Sequence, residues 1–194
     1  MRTSKGCHFR SATNQSKSNR LTRMEPTELY GKAHRSLDEV YLVQNPALGA
    51  ILIWEFVKGF VRQSAGRLPE LPLLFIVLPI VFNETLRTAI SGTNPSSGLR
   101  LFATKFSKDQ EVLLALQRRM LILRPTSLSS LSIGLESGLL TLNVTTASVD
   151  CTTKRYPPKT RVAVRELGKH ADKLGGWCGS LTLQEVQAAL RIGF

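Results

Sequence analysis

The sequence predicts a mainly α fold with one β-hairpin, arranged as a winged-helix-like helical domain. Apolar residues recur at helical spacing in several segments between residues 46 and 190. One stretch, residues 139–152, is instead rich in β-branched residues and predicts the two strands of a hairpin. Two helices separated by a turn are predicted before that hairpin, and this order is the one found in a winged-helix domain.

The first predicted helix begins at Asn45-Pro46, because Asn is a preferred N-cap and Pro is favoured at the first helical position. It runs to Val61. Its polar side chains form one narrow stripe and the rest of its surface is apolar, so we expect it to be the buried centre of the domain. The stripe consists of Glu55, Lys58 and Arg62.

A second apolar segment, Leu71–Phe82, is predicted to be a buried helix kinked at Pro79. Its twelve residues are too few for a membrane-spanning helix, which needs about 20. Asn83 is then expected to cap a short helix through Ile90. Residues 91–98 contain Gly and Pro and predict a loop.

Three further helices are predicted before the hairpin. The first is a short helix over residues 99–106, and the second is a longer helix over residues 107–124. Pro125 and Thr126 are expected to open the third, which ends at Gly138. The expected core positions are Leu113, Leu116, Met120 and Leu123 in the second helix and Leu128, Leu131 and Leu135 in the third.

Two helices are predicted after the hairpin. A basic loop at residues 154–161 precedes the first of them, which is expected to stop at Gly175-Gly176. Its expected core positions are Val164, Leu167, Ala171 and Leu174. Residues 182–185 (Thr-Leu-Gln-Glu) form a capping box, which predicts a last short helix ending near Arg191.

The positive charge is concentrated at the start of the chain. Residues 1–23 hold six basic residues and no acidic one, which is half of the net charge of +12. We therefore predict a basic, largely disordered extension over residues 1–37, followed by the winged-helix-like domain over residues 38–194. For the first 23 residues, a disordered tail or a translation start at Met24 is favoured over an organelle transit peptide.

Residue types that support catalysis are scarce. Three widely spaced Cys residues form no C-x-x-C motif, so the sequence indicates neither a disulfide framework nor a zinc site. We therefore expect the protein to be located in the reducing cytoplasm and to bind neither a metal nor another cofactor. Phosphate-binding glycine loops, the G-x-S-x-G motif and the H-E-x-x-H motif do not occur in the sequence. His170 lies four residues after Glu166, a spacing that predicts a surface ion pair. The sequence therefore predicts that the protein is not an enzyme.

Ten basic residues are candidate contacts for nucleic acid or for an acidic partner. They are Arg118, Arg119, Arg124, Lys154, Arg155, Lys159, Arg161, Arg165, Lys169 and Lys173. The predicted recognition helix, residues 126–137, carries five Ser residues and one charge, Glu136, so it is poorly equipped to read base edges. Contact with DNA is therefore expected to be sequence-independent and salt-sensitive. We favour two other roles for these basic residues over DNA contact: a solvated basic face, or a binding surface for an acidic protein.

Several segments in a fixed order resemble a known family. The segments are residues 45–60, residues 71–82, Leu123-Arg-Pro125, Gly134-Leu-Glu-Ser-Gly-Leu139, Leu174-Gly-Gly-Trp177 and Ala189-Leu-Arg-Ile-Gly193. Together they are similar to the middle component of bacterial three-component ABC systems, a group that includes the small subunit of Lamassu-type anti-phage defence. The likeness covers residues 38–194.

The resemblance implies a non-catalytic adaptor that bridges an SMC/Rad50-like ABC ATPase and an effector protein in an anti-phage defence complex, with DNA contacts confined to that complex. The alternative is a free-standing winged-helix DNA-binding regulator. The apolar segments 46–61 and 71–82 are expected to need a partner to cover them fully. We expect no membrane association.

Overall fold

The computed structural model describes residues 45–107, 110–156 and 159–194, apart from the side chain of Gln110. The predicted extension over residues 1–37 and the alternative start at Met24 lie outside the described residues. Within them the chain is mainly helical, with one two-stranded antiparallel sheet, as predicted. The α-helices are α1 (Pro46–Gln63), α2 (Val77–Val81), α3 (Glu84–Ser91), α4 (Gly98–Thr104), α5 (Gln110–Glu136), α6 (Val162–Gly179) and α7 (Leu183–Leu190), the strands are β1 (Leu140–Asn143) and β2 (Ser148–Cys151), and 3-10 helices span Leu71–Ile76 and Pro95–Ser97.

Helix α1 is the buried centre of the fold, as predicted. The Asn45 side chain accepts a hydrogen bond from the backbone N–H of Leu48 at 3.1 Å, and Pro46 is the first helical residue. Trp54 is buried, and its indole N–H donates to the Thr152 carbonyl at 3.0 Å. This hydrogen bond ties the segment after β2 to the centre of the domain.

Glycines bring α1 and α6 into backbone contact. A Cβ atom on Gly59 would lie 2.0 Å from the Asp172 carbonyl oxygen, and one on Gly175 would lie 2.0 Å from the Phe56 carbonyl oxygen. One on Gly179 would lie 2.5 Å from the Phe60 carbonyl oxygen. The predicted stop at Gly175-Gly176 is therefore wrong, because packing against α1 outweighs the cost of about 1 kcal/mol for each glycine in a helix.

Residues 110–136 form one helix, so the prediction of two helices separated at Pro125 is wrong. Pro125 lies on the exposed side of α5, where water can bind the carbonyl group that loses its helical donor. On the opposite side Ser130 is fully buried, and a Cβ atom on Gly49 of α1 would lie 2.1 Å from its hydroxyl oxygen. Without a turn in α5, the winged-helix arrangement is not confirmed.

The segment over residues 71–82 is helical, but its irregularities differ from the predicted kink. It begins as a 3-10 helix and becomes α2 at Val77, whereas Pro79 lies inside α2. Because Pro79 has no N–H, the Phe75 carbonyl lacks its α-helical donor where the helix type changes. The sharp bend of 97° comes after Val81, and Asn83 caps the next helix as predicted.

No single helix in the described residues is long and apolar enough to cross a membrane. Two consecutive helical segments, Leu71–Val81 and Glu84–Ser91, are together long and apolar enough, but the chain bends by 97° between them.

The predicted hairpin is confirmed. Strand β1 pairs antiparallel with β2, from Leu140 opposite Cys151 to Asn143 opposite Ser148. Leu140 and Val149 are buried against the helices. The capping box of α7 is also confirmed, because the Thr182 hydroxyl accepts from the Glu185 N–H while the Glu185 carboxylate accepts from the Thr182 N–H.

His170 joins α6 to α3 instead of forming the predicted ion pair with Glu166. Its Nε2 lies 2.7 Å from the Ser91 hydroxyl, and Glu166 instead binds Lys169 at 2.7 Å. Burial lowers the pKa of His170, and the positive charges of Arg87 and Lys173 act in the same direction. The backbone and side chain of Glu166 oppose this shift. The folded state therefore favours the neutral imidazole.

We expect Gly175→Ala to destabilise the fold by about 2–3 kcal/mol, because its Cβ would overlap the backbone of α1. Gly176→Ala is a matched control one residue away, where the nearest atom to an added Cβ is 3.8 Å distant. This control should be neutral or stabilise the helix by up to about 1 kcal/mol. Urea unfolding of both variants measures the difference. Equal unfolding free energies would contradict the backbone contact.

We expect His170→Gln to reduce the loss of stability between pH 7.5 and pH 5.5. Because the pKa of His170 is lowered from 6.5 in the folded state, the unfolded state binds more protons as pH falls through about 6.5. The unfolding free energy of the wild type therefore decreases as the pH is lowered. The lowered pKa values of Glu166 and Glu185 act only below 4.5, outside this range. Parallel pH profiles of the unfolding free energy for both proteins would show that His170 does not titrate in this way.

Candidate interaction surfaces

A cleft with a volume of about 550 Å³ lies between α1, α6 and the segment after β2. We call it the basic cleft; its lining residues are Glu55, Lys58, Arg62, Arg155, Tyr156, Arg165, Gly168, Lys169 and Asp172. The Tyr156 ring packs edge-on against Trp54, with ring centroids 5.6 Å apart. A Cβ atom at position 168 would lie 2.3 Å from the Tyr156 hydroxyl oxygen, so Gly168 makes room for this ring. The glycine contacts of α6 thus also shape the cleft.

Five cationic side chains and two carboxylates line the basic cleft. Lys58 donates to both oxygens of Glu55 at 3.1 Å, and Arg62 donates to both oxygens of Asp172 at 2.8 and 3.0 Å. The hydrogen bond to Asp172 raises the pKa of Arg62. Burial and then the charge of Glu55 raise the pKa of Tyr156, so its hydroxyl stays protonated. Both signs of charge are therefore held in fixed places, with positive charge in excess.

Three of the ten predicted contact residues lie in the basic cleft, namely Arg155, Arg165 and Lys169. The cleft also contains Lys58 and Arg62 of α1, which we did not predict as contacts. Their polar stripe was visible in the sequence, but its position beside α6 depends on packing between segments about a hundred residues apart.

Four more predicted contacts do not line the basic cleft. Lys173 donates to the Ile90 carbonyl at 2.8 Å, and its Nζ lies 5.5 Å from the ring centroid of Trp177. Lys154 donates to the Ser137 carbonyl at 2.7 Å. These two side chains therefore fasten elements of the fold together. Lys159 and Arg161 are exposed, and Arg161 directly precedes α6.

The remaining three predicted contacts lie on α5, and none of them lines the basic cleft. Arg118 and Arg124 are exposed, whereas Arg119 is partly buried. The Arg124 guanidinium carbon lies 5.7 Å from the ring centroid of Phe75. The predicted basic group is therefore divided between two surfaces.

Helix α5 also exposes a row of large apolar side chains. Leu114, Leu121 and Leu128 are 59%, 60% and 44% exposed, and we call them the leucine stripe. Ile122 beside them is 64% exposed. The sequence predicted burial of Leu128, which is wrong. The predicted core positions Leu113, Leu116, Met120 and Leu123 are buried on the other side of the helix.

A cavity of about 180 Å³ adjoins the leucine stripe. Its lining residues are Pro72, Phe75, Gln117, Met120, Leu121, Arg124, Gly193 and Phe194. The Gln117 side-chain oxygen accepts a hydrogen bond from the Gly193 N–H at 2.9 Å, which holds the end of the chain against α5. This cavity is mostly apolar, with Arg124 at its edge.

The apolar surface lies elsewhere than the sequence predicts. We expected segments 46–61 and 71–82 to need a partner, but their large apolar side chains are mostly buried within the described fold. In α1, for example, Leu52, Ile53, Phe56 and Val57 have no exposed surface. Large apolar side chains are instead exposed along α5.

No group of three or more His, Cys, Asp or Glu side chains is placed to hold a metal ion in the described parts of the chain. Cys151 and Cys178 are free thiols. Burial raises the pKa of both thiols, and Cys178 is completely buried. Both therefore favour the protonated, less reactive form.

Comparison with known proteins identifies the family. The model of the ABC-three component (ABC-3C) system Middle Component 3 family matches residues 34–194, a range that includes every described residue. Searches of curated proteins and of solved structures found no match. The family match confirms the resemblance that the ordered sequence segments indicated. The chain therefore belongs to the family of Middle Component 3 of ABC-three component systems.

Proposed function

We propose that this chain is a non-catalytic adaptor that bridges an SMC/Rad50-like ABC ATPase and an effector protein in a cytoplasmic, Lamassu-type anti-phage defence complex. Its membership in the middle-component family supports a role beside other components. The observation that carries the bridging role is the presence of two surfaces of different chemistry that share no residue. These surfaces are the basic cleft and the leucine stripe.

The basic cleft suits an acidic protein surface better than a nucleic acid. Glu55 and Asp172 lie among its cations, and each is within 3.1 Å of a basic group. A phosphate backbone passing through the cleft would meet both carboxylates, whereas a protein can match a fixed pattern of the two signs. Contact with DNA, where it occurs, is sequence-independent and takes place within the complex.

The free-standing DNA-binding regulator has less support than the adaptor. Such a protein places a separate recognition helix in the major groove. Residues 126–136 instead continue α5, and Ser127 and Ser130 are buried in the fold. Neither serine can reach a base while the domain stays folded.

The adaptor role predicts that the full-length tagged chain retains a coiled-coil ABC ATPase and an effector. The chain is co-expressed with its neighbouring genes, and the captured material is treated with nuclease and washed at high salt. Because apolar contacts resist salt, we expect at least one protein partner to remain. Recovery of nucleic acid alone, lost on washing, would replace the adaptor with the DNA-binding regulator.

Charge reversal separates the two surfaces. We expect Arg155→Glu/Arg165→Glu to weaken retention of one partner about tenfold at moderate salt, because complementary charges are lost. Arg118→Glu/Arg124→Glu changes the net charge equally on α5, outside the cleft, and should leave that partner bound. Quantitative mass spectrometry of the captured complexes measures both. Equal loss of the same partner from both variants would mean that net charge alone determines binding.

A further inference from the structure

We propose that the exposed side of α5 docks an acidic amphipathic helix of another component of the complex. The partner helix packs its apolar residues along the leucine stripe and directs carboxylates toward Arg118 and Arg124. This inference rests on the proposed adaptor function and adds the surface and the chemistry of one partner.

The spacing of the leucine stripe favours a helical partner. Leu114, Leu121 and Leu128 are seven residues apart, so they drift by only about 20° per step around α5. They extend over about 21 Å of helix at a rise of 1.5 Å per residue. Apolar residues at this spacing form the seam along which two helices pack. Since the three side chains are exposed within the described fold, the seam has one side vacant.

The charges beside the stripe specify an acidic helix. At 100° per residue, Arg118 falls on one side of the stripe and Arg124 on the other. Neither forms an ion pair within the described residues. The carboxylates of α5 are near its ends, at Glu111 and Glu136, and residues 112–135 contain none. Carboxylates on a docked helix would therefore meet cations on both flanks of the seam.

The chemistry of the exposed side of α5 also argues against three other occupants: a second copy of this chain, its own residues 1–44, and nucleic acid. A second copy of this chain would bring its own Arg118 and Arg124 against the same residues. Residues 1–44 carry eight basic residues and four acidic ones, so they too are predominantly of the same sign. Nucleic acid would leave Leu114, Leu121 and Ile122 in contact with phosphate or water. An acidic amphipathic helix would both remove these apolar side chains from water and form ion pairs with Arg118 and Arg124.

The cavity beside the stripe supplies an anchor point. It lies between Phe75, Met120 and Phe194, and its volume of about 180 Å³ can receive a large apolar side chain. Leu121 belongs both to the stripe and to the cavity wall. Arg124 at the cavity edge can bind a carboxylate next to the inserted side chain. Interfaces commonly depend on a few such anchored residues.

Photo-crosslinking identifies the occupant. The photoreactive residue p-benzoylphenylalanine replaces Leu121 in the full chain, and the complex is captured with its co-expressed neighbours. Leu101 of α4, which is 50% exposed, is the matched control position. We expect position 121, but not position 101, to crosslink to a helical segment of another component that carries Asp or Glu beside apolar residues. A crosslink to a second copy, to residues 1–44 or to nothing in a recovered complex would overturn the inference.

Substitutions test the energetic contribution of the surface. We expect Leu121→Glu/Leu128→Glu to reduce retention of that component at least tenfold, whereas Leu101→Glu leaves it unchanged. Arg118→Glu/Arg124→Glu should weaken the same component, and Lys in place of the crosslinked carboxylates should restore it. Unchanged thermal unfolding confirms that the variants fold. If the wild type retains partners and every variant does too, this inference fails and the adaptor function stands. If the wild type retains none, both fail.

Discussion

The backbone contact between α1 and α6 is the constraint on which the other features depend. Glycines at positions 59, 175 and 179 let the two helices approach until carbonyl oxygens occupy the places of the missing side chains. This approach sets the charged residues of α6 beside the polar stripe of α1 and so forms the basic cleft. On its other side α1 packs against α5, where Gly49 and Ser130 are again in close contact. The exposed side of α5 is consequently turned away from α1.

Local signals predicted a large part of the fold. Capping residues located the starts of α1, α3 and α7. Apolar periodicity identified the core positions in the first half of α5, and β-branched residues identified the hairpin. The errors fall where distant packing overrides local preference. A break at Pro125 and a stop at Gly175-Gly176 are reasonable from propensities of about 1–3 kcal/mol, but burial against α1 outweighs both. The exposed leucines were missed for a related reason, because periodicity in one helix does not reveal which of two apolar faces the fold covers.

The candidate surfaces were predictable only in part. Arg155, Arg165 and Lys169 were identified by charge, whereas Lys58 and Arg62 join them through a contact between segments about a hundred residues apart. In the proposed adaptor the two surfaces differ in physical character. Interaction at the basic cleft depends on ionic strength, whereas binding at the leucine stripe depends mainly on removal of apolar area from water and secondarily on the charges of Arg118 and Arg124. A bridging subunit built in this way binds one partner through a mainly apolar contact that is less sensitive to salt, and binds the other through charges whose attraction weakens as ionic strength rises.

Pro125 also affects how selective the α5 surface is. Because it carries no N–H, the carbonyl of Leu121 lacks its usual helical donor in the middle of the leucine stripe. A wholly apolar helix that covered this carbonyl would leave a buried acceptor unsatisfied, at a cost of about 1–3 kcal/mol. A helix with a Ser, Thr or Asn at that level, or one that traps a water molecule there, avoids the penalty. A backbone defect in one helix can therefore fix the register of its neighbour, since sliding by one turn would remove the hydrogen bond.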